Sequence, residues 1–348
     1  MNSIPRVLNE KSLSEFDFLC NDAINEITNK LNAAETSILE EYKEKNRKAC
    51  REDIAFHLSC LRPTLESGLL NAYVEYLQWL SEVYLARNIP TNKIEDALHL
   101  IGEYFSEKMS QGGDIIRNTL KTAISQVKEP TQDSINNLNT WPEVPAFESA
   151  LLQGDHKTGS TIINQLLKKG FNLIEIEVLL IEPAMHEIGL KWQKNQVSVV
   201  QEHLATATAS TLMAQYFTQV KLKPLNGKKA VLACVESNEH MLGLHMISDA
   251  LQMDGWEVQF LGANTPTQAF VEHIAHIKPD IVGLSISFAY QLMPAREVLK
   301  ELDSTFPVDC PKLVIGGNAV NRFPELFKSI GADLSLTNAL SVKNLLTE

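Results

Sequence analysis

Lys229-Ala-Val-Leu-Ala-Cys-Val-Glu236 decides the fold. It is short and apolar, as a strand buried on both faces must be. It runs into a polar loop, Ser237 to Met241, and then into the helical pattern of Leu242 to Met253. The same rhythm returns downstream, with strand candidates at 256–261, 281–287, 312–316 and 333–337 and helical stretches between them. Strands alternating with helices at this spacing predict a doubly wound parallel sheet, an α/β Rossmann-like (flavodoxin-like) domain over 228–348. Ligands bind such sheets outside the carboxyl ends of the strands. The polar loop is one of those ends, and it holds Asn238 and His240.

The other strand ends carry small residues: Ser285-Ile286-Ser287 after the third, Gly316-Gly317 after the fourth and Thr337 after the fifth. Gly243 opens the helix behind His240, where a side chain would obstruct a closely approaching ligand. Together they predict a slot along one edge. No G-x-G-x-x-G follows the first strand, which argues against a dinucleotide. Taken alone, a loop histidine is more often solvated than a ligand; the companions shift that balance.

Upstream the pattern is helical. Residues 143–220 predict four helices, with Gly154-Asp155 and Gly170 as breaks and Asn172 as a start. One helix is read over Glu182–Trp192 and the next over Val197–Phe217, with Trp192, Glu202 and His203 near their joining turn. Residues 12–128 also predict only helices, broken at Ser67-Gly68, Asn88-Ile-Pro90 and Gln111-Gly-Gly113. The domain expectation is 1–128 for an all-helical sensor or interaction domain and 129–142 for a polar linker. A helical bundle over 143–220, a second linker over 221–227 and the α/β domain complete it.

Composition narrows the functions. The 348 residues are 44% hydrophobic and 21% charged, ordinary for globular domains, and the net charge of −12 disfavours nucleic acid. No apolar run is long enough for a bilayer. The five cysteines are scattered, without metal-ligand spacing, which suits reduced thiols in a cytoplasmic protein. No nucleophile–base pair stands out, so an enzyme is not expected.

Residues 143–345 resemble a cobalamin-binding module, a four-helix-bundle cap followed by a Rossmann-like domain. The family's Asp-x-His-x-x-Gly, Ser-x-Leu and Gly-Gly motifs fall on Asn238 to Gly243, Ser285 to Ser287 and Gly316-Gly317. The resemblance implies His240 as the lower cobalt ligand, with the displaced nucleotide tail in the slot. Two departures stand out: Asn238 replaces an aspartate and Ser287 an apolar residue. Trp192, nine residues and then Glu202-His203 is similar to the signature of light-sensing cobalamin proteins. That likeness implies adenosylcobalamin, with Trp192 and Glu202 around its adenosyl group. Gln193 stands where those photoreceptors have a second histidine, leaving His186 and His203 as the cap's candidates.

The helical domain adds an aromatic cluster, Phe56, Tyr73, Tyr76 and Trp79, around His57. A plain core explains it equally well. A helical domain ahead of this kind of cobalamin module resembles the photocobilins, which implies biliverdin as a second chromophore near His57, its propionates on Arg51 and Arg62. The expectation is therefore a cobalamin-dependent light sensor in signal transduction, acting through a homo-oligomer or an unknown protein partner. The alternatives are a corrinoid methyl carrier of a methyltransferase system and a haem sensor in a cobalamin-like fold.

Overall fold

The computed structural model describes residues 7–34, 40–127, 141–325 and 330–346. The chain divides into two compact units, Met1–Asp133 and Ser134–Glu348. Among the described residues no helix is long and apolar enough to cross a membrane.

The first unit is helical: α1 (Glu10–Ala34), α2 (Glu40–Ser67), α3 (Leu70–Ala86), α4 (Asn92–Lys108) and α5 (Gly113–Gln126). Its breaks fall at the expected Gly and Pro positions. The core stacks Phe16 on Phe105 at 4.7 Å and buries Ile27, Ile54, Leu61 and Leu98. His57 is 2% exposed, and its Nδ1 lies 3.0 Å from the Tyr76 hydroxyl. Tyr76 in turn packs against Phe56, Tyr73 and Trp79. This is a core histidine satisfied by its neighbours, and a chromophore there would have to displace that packing. Arg62, expected to hold a propionate, is instead bound by Asp17 through two nitrogens and by Glu66 through a third. Arg51 donates to Asn25.

Burial gives this unit a pH dependence. It pushes the His57 imidazole down from 6.5 to about 4. The unfolded chain then binds more protons than the folded one between those values. Stability is complete above pH 6.5 and falls as pH drops toward 4, by about 3 kcal/mol. Amide protection in α2 and α3 is expected to weaken between pH 7 and 4.5 in the wild type. In His57→Leu that pH dependence should shrink; an unchanged dependence would exonerate His57.

The first described residue of the second unit is Trp141, whose ring packs on Phe171 at 4.5 Å. Residues 129–140 of the expected linker lie outside the described residues. Helices α6 (Val144–Gln153) and α7 (His156–Lys168) follow. Gly154 takes the left-handed conformation between them, and Asp155 caps α7 by accepting from the Thr158 N–H. Asn172 and Glu175 form a capping box on α8 (Leu173–Ile176).

The next stretch departs from expectation. α8 continues through a π turn, Glu177–Ile181, directly into α9 (Glu182–Gln193). Pro183 accounts for it. Proline has no N–H to donate and its ring would strike the carbonyl four residues back, so the preceding turn widens. The Glu182 N–H accordingly reaches the Glu177 carbonyl. The turn after α9 passes through Asn195, which tolerates φ 57°. α10 (Val199–Phe217) starts two residues later than expected, because Ser198 and Gln201 build a capping box there.

The sheet has the order β2-β1-β3-β4-β5, all parallel. Its strands are β1 (Lys229–Cys234), β2 (Glu257–Gly262), β3 (Ile281–Ser285), β4 (Lys312–Gly316) and β5 (Leu334–Leu336). Helices α11 (Leu242–Met253), α12 (Thr267–Ile277), α13 (Leu292–Thr305) and α14 (Asn318–Arg322) lie between them, and a 3₁₀ segment, Ala339–Leu346, closes the chain. α11 is the central layer. Its Leu244, Met246, Ile247 and Leu251 join one apolar cluster with Ile174, Ile176 and Leu180 of the helical segments and with Val342 and Leu345. Each such side chain contributes about 2 kcal/mol by burial. Residues 221–227, expected as a plain linker, are exposed but tied down. The Lys223 and Asn226 N–H groups donate to the Met253 and Gly255 carbonyls, and Lys223 pairs with Asp254.

Candidate functional site

Sheet register sets the site. Cys234 pairs with Ser285, Ser285 with Gly316, and Gly316 with Leu336. One row across four strands therefore delivers the His240 loop, Ser285–Ser287, Gly316-Gly317 and Thr337 to a single carboxyl edge. The order places the topological switch between β1 and β3, where such sheets bind ligands. The His240 loop leaves the sheet there.

That loop is fixed by amides. Asn238, 0% exposed, donates from Nδ2 to the Ser285 carbonyl at 2.9 Å and accepts from the His240 N–H at 3.1 Å. Its own carbonyl accepts from the Asn264 N–H, and Asn264 Oδ1 accepts from the Ser237 N–H at 2.8 Å. Buried Gln291 donates to the Ser237 carbonyl at 2.9 Å and accepts from the Ser287 and Phe288 N–H groups. Sequence reasoning missed Asn264, Gln291 and Phe288; each lies in a loop whose role depends on partners distant in the chain. The Asn238 amide is spent on backbone groups, the Ser285 carbonyl and the His240 N–H.

The carboxyl edge leaves His240 itself exposed, with Phe288 edge-on at 5.2 Å. Desolvation by the surrounding protein lowers its pKa, while the Glu202 and Glu239 carboxylates pull the other way. Its neutral form, the one that ligates a metal, is thereby favoured. Glu202 acts on His240 from α10, so the corner between α9 and α10 faces this loop. Trp192 is half-buried in the last turn of α9. Glu202 accepts from Thr206 at 2.9 Å and lies 2.6 Å from His203 Nδ1. His203 is 74% exposed, and His186 is also exposed.

The glycines divide into two kinds. A Cβ on Gly317, at φ 103°, would lie 2.4 Å from the Ile286 carbonyl oxygen, and one on Gly316 would lie 2.9 Å from that of Leu336. These two let backbones meet. A Cβ on Gly243 meets nothing within 4 Å, so Gly243 keeps open space beside His240. Ser285 and Ser287 are buried, and Thr337 is exposed with its carbonyl held by Asn321. An exposed, neutral-leaning imidazole on an amide-locked loop, with open space at the next helix start, fits an axial ligand for a large flat metallocofactor.

Two family models match the chain, each described as a B12 binding domain, one over residues 146–216 and one over 228–340. Residues 146–340 thus hold a cobalamin-binding module. The chain is similar to the HTH-type transcriptional repressor CarA of Myxococcus xanthus, 28% identical over 225 residues, covering 62% of this chain and 70% of the repressor. It is also similar to the repressor CarH of the same organism, 26% identical, covering 54% and 62%. The trimethylamine corrinoid protein of Methanosarcina barkeri is 22% identical, covering 54% of this chain and 87% of that protein. Among solved structures, the Methanosarcina barkeri monomethylamine corrinoid protein aligns at TM-score 0.49 and 17% identity, covering 58% of this chain and 95% of that one.

Asn238 offers a sharp test of the loop in this cobalamin-binding module. Aspartate cannot donate to the Ser285 carbonyl unless protonated. Asn238→Asp is expected to destabilise the second unit by about 2 kcal/mol at pH 7. Burial and the facing carbonyl raise the new carboxyl's pKa in the folded state, so the folded form binds more protons. The deficit should therefore shrink as pH falls toward 5. Thermal melts of variant and wild type at the two pH values check this, and a pH-independent deficit would refute the assigned bond.

Proposed function

We propose that this chain is a cobalamin-dependent light sensor whose helical segments α6–α10 respond to the state of the upper face of the cofactor. The observation that carries the reading is the placement of Glu202, on α10, close enough to His240 to act on its charge. One cofactor would thus meet both the α/β loop and the helical corner. His240 would hold the lower face, Gly243 would leave room, and Ser285, Ser287, Gly316, Gly317 and Thr337 would border the tail. Trp192 would supply flat apolar area above, and Glu202 a carboxylate to accept from sugar hydroxyls. A bound adenosylcobalamin supplies a light-labile cobalt–carbon bond. Loss of the group packed on Trp192 would free α9 to shift, changing an oligomeric or partner surface.

The corrinoid carriers among the relatives favour a second reading, a methyl carrier. Asn238 counts against it, since an amide bound to backbone cannot exchange a proton with the lower histidine. Green light on the adenosylcobalamin-loaded protein separates the two. A sensor changes its absorption spectrum and its size by light scattering, and Trp192→Ala blunts the size change. Photolysis no different from free cofactor, with no change in size, would sink the sensor reading. For biliverdin the reading needs the His57 cluster to open; co-expression with a bilin source and no red-absorbing band would end that part.

A further inference from the structure

The seam between the helical segments and α11 is built on an apolar cluster, and two carboxyls are buried in it. Glu177, in the π turn, is 0% exposed, and Asp249, on α11, is 1% exposed. Neither Glu177 oxygen has an N–H, O–H or cationic partner among the described residues, nor does Asp249 Oδ2. Asp249 Oδ1 has His245 Nε2 at 3.7 Å. The group that does reach Glu177 is the Asp249 carboxyl itself. Two carboxyls can bond each other only through a proton; both ionised, they repel in a site that water does not reach.

We infer that Glu177 and Asp249 share one proton across this seam, forming a latch that keeps the helical segments seated on α11 while the proton is present and unseats them when it leaves. Burial first, then the neighbouring carboxylate, holds Glu177 well above the usual carboxylate range. Asp249 is raised by burial and drawn back by His245. Beyond the pair itself, His245 is the ionisable group that acts on it among the described residues. Lys191, farther along the same helical run, is engaged by Glu148 on α6. The latch has leverage. Trp192 lies on the same run as Glu177, about 20 Å along it at the helical rise. Displacement at the π turn is thus carried to the corner that faces His240. The inference stands whichever cofactor chemistry the carboxyl edge performs.

The test uses the full chain, ligand-free, between pH 7.5 and 10.5. At pH 7.5 the infrared spectrum of the wild type should contain the carbonyl stretch of a protonated carboxylic acid, and Glu177→Gln should lack it. From pH 7.5 up to about 10, where the seated pair still holds a proton that an opened pair has already released, amide protection in 173–181 and α11 should fall about tenfold per pH unit, the slope of one linked proton, and then level off. Glu177→Gln donates to Asp249 through its amide and cannot ionise, so its protection there should stay flat with pH. Asp249→Asn, which accepts from a neutral Glu177, serves as the second variant if the first fails to fold. A wild type without the acid band at pH 7.5 overturns the inference. So does an alkaline loss of protection that is the same in wild type and both variants.

Discussion

His240→Ala is expected to weaken cobalamin binding on the order of a hundredfold and to leave the cofactor's own base on cobalt. Loss of outer partners of a metal ligand already costs about 10- to 100-fold, and here the ligand itself goes. The effect should be confined to binding. The His240 ring is exposed, and the loop beneath it is held by Asn238, Asn264 and Gln291 through backbone groups that alanine keeps. The ligand-free variant should therefore melt within about 0.5 kcal/mol of the wild type. Titration with cobalamin, followed by absorbance, reads both affinity and coordination. Wild-type affinity with a wild-type bound spectrum would remove His240 from the lower face.

Gly317→Ala should have the largest effect on folding, a loss of about 2–4 kcal/mol for the α/β domain. Alanine at φ 103° is strained whatever the space, and its Cβ would press 2.4 Å from the Ile286 oxygen and 2.8 Å from the Ile286 carbonyl carbon. Ile286 is itself tied to the Gly316 carbonyl, so it cannot easily retreat. Gly243→Ala makes the opposite case. It lies in the first turn of α11, meets nothing within 4 Å and should gain up to about 1 kcal/mol from helix propensity. Bulkier substitutions there should spare folding while reducing cobalamin uptake. Denaturant melts of both variants, beside binding titrations, separate the two roles; equal stability losses would refute the division.

The edge was legible in the sequence because its signals are local. Each strand candidate ends within two residues of its observed end, and Leu242 to Met253 is the helix as read. The caps at Asp155, Asn172 and Gly154 act within a few residues, so type and spacing reveal them. What stayed hidden depends on distant partners. Gln291 is an unremarkable loop glutamine until Ser237 lies beside it. Glu177 and Asp249 belong to different layers, and only packing makes them a pair. Pro183 read as an ordinary helix residue because the pattern on both sides is apolar; the widened turn leaves no mark in composition. Residues 221–227 look like a linker by residue type, and the bonds that tie them come from Met253 and Gly255, far along the chain.

That tied segment has a kinetic consequence. It joins α10 to β1 by a short strap anchored beside the end of α11, so helices that lift from the seam remain next to it. Their effective concentration at the seam is on the order of millimolar, the value for short tethers. Return is an intramolecular event. Its rate is first-order and the same at any dilution, whereas any change of assembly that follows will recover more slowly in dilute solution. A two-phase recovery, one phase insensitive to concentration and one proportional to it, would be the signature of a strap that limits how far the parts can separate.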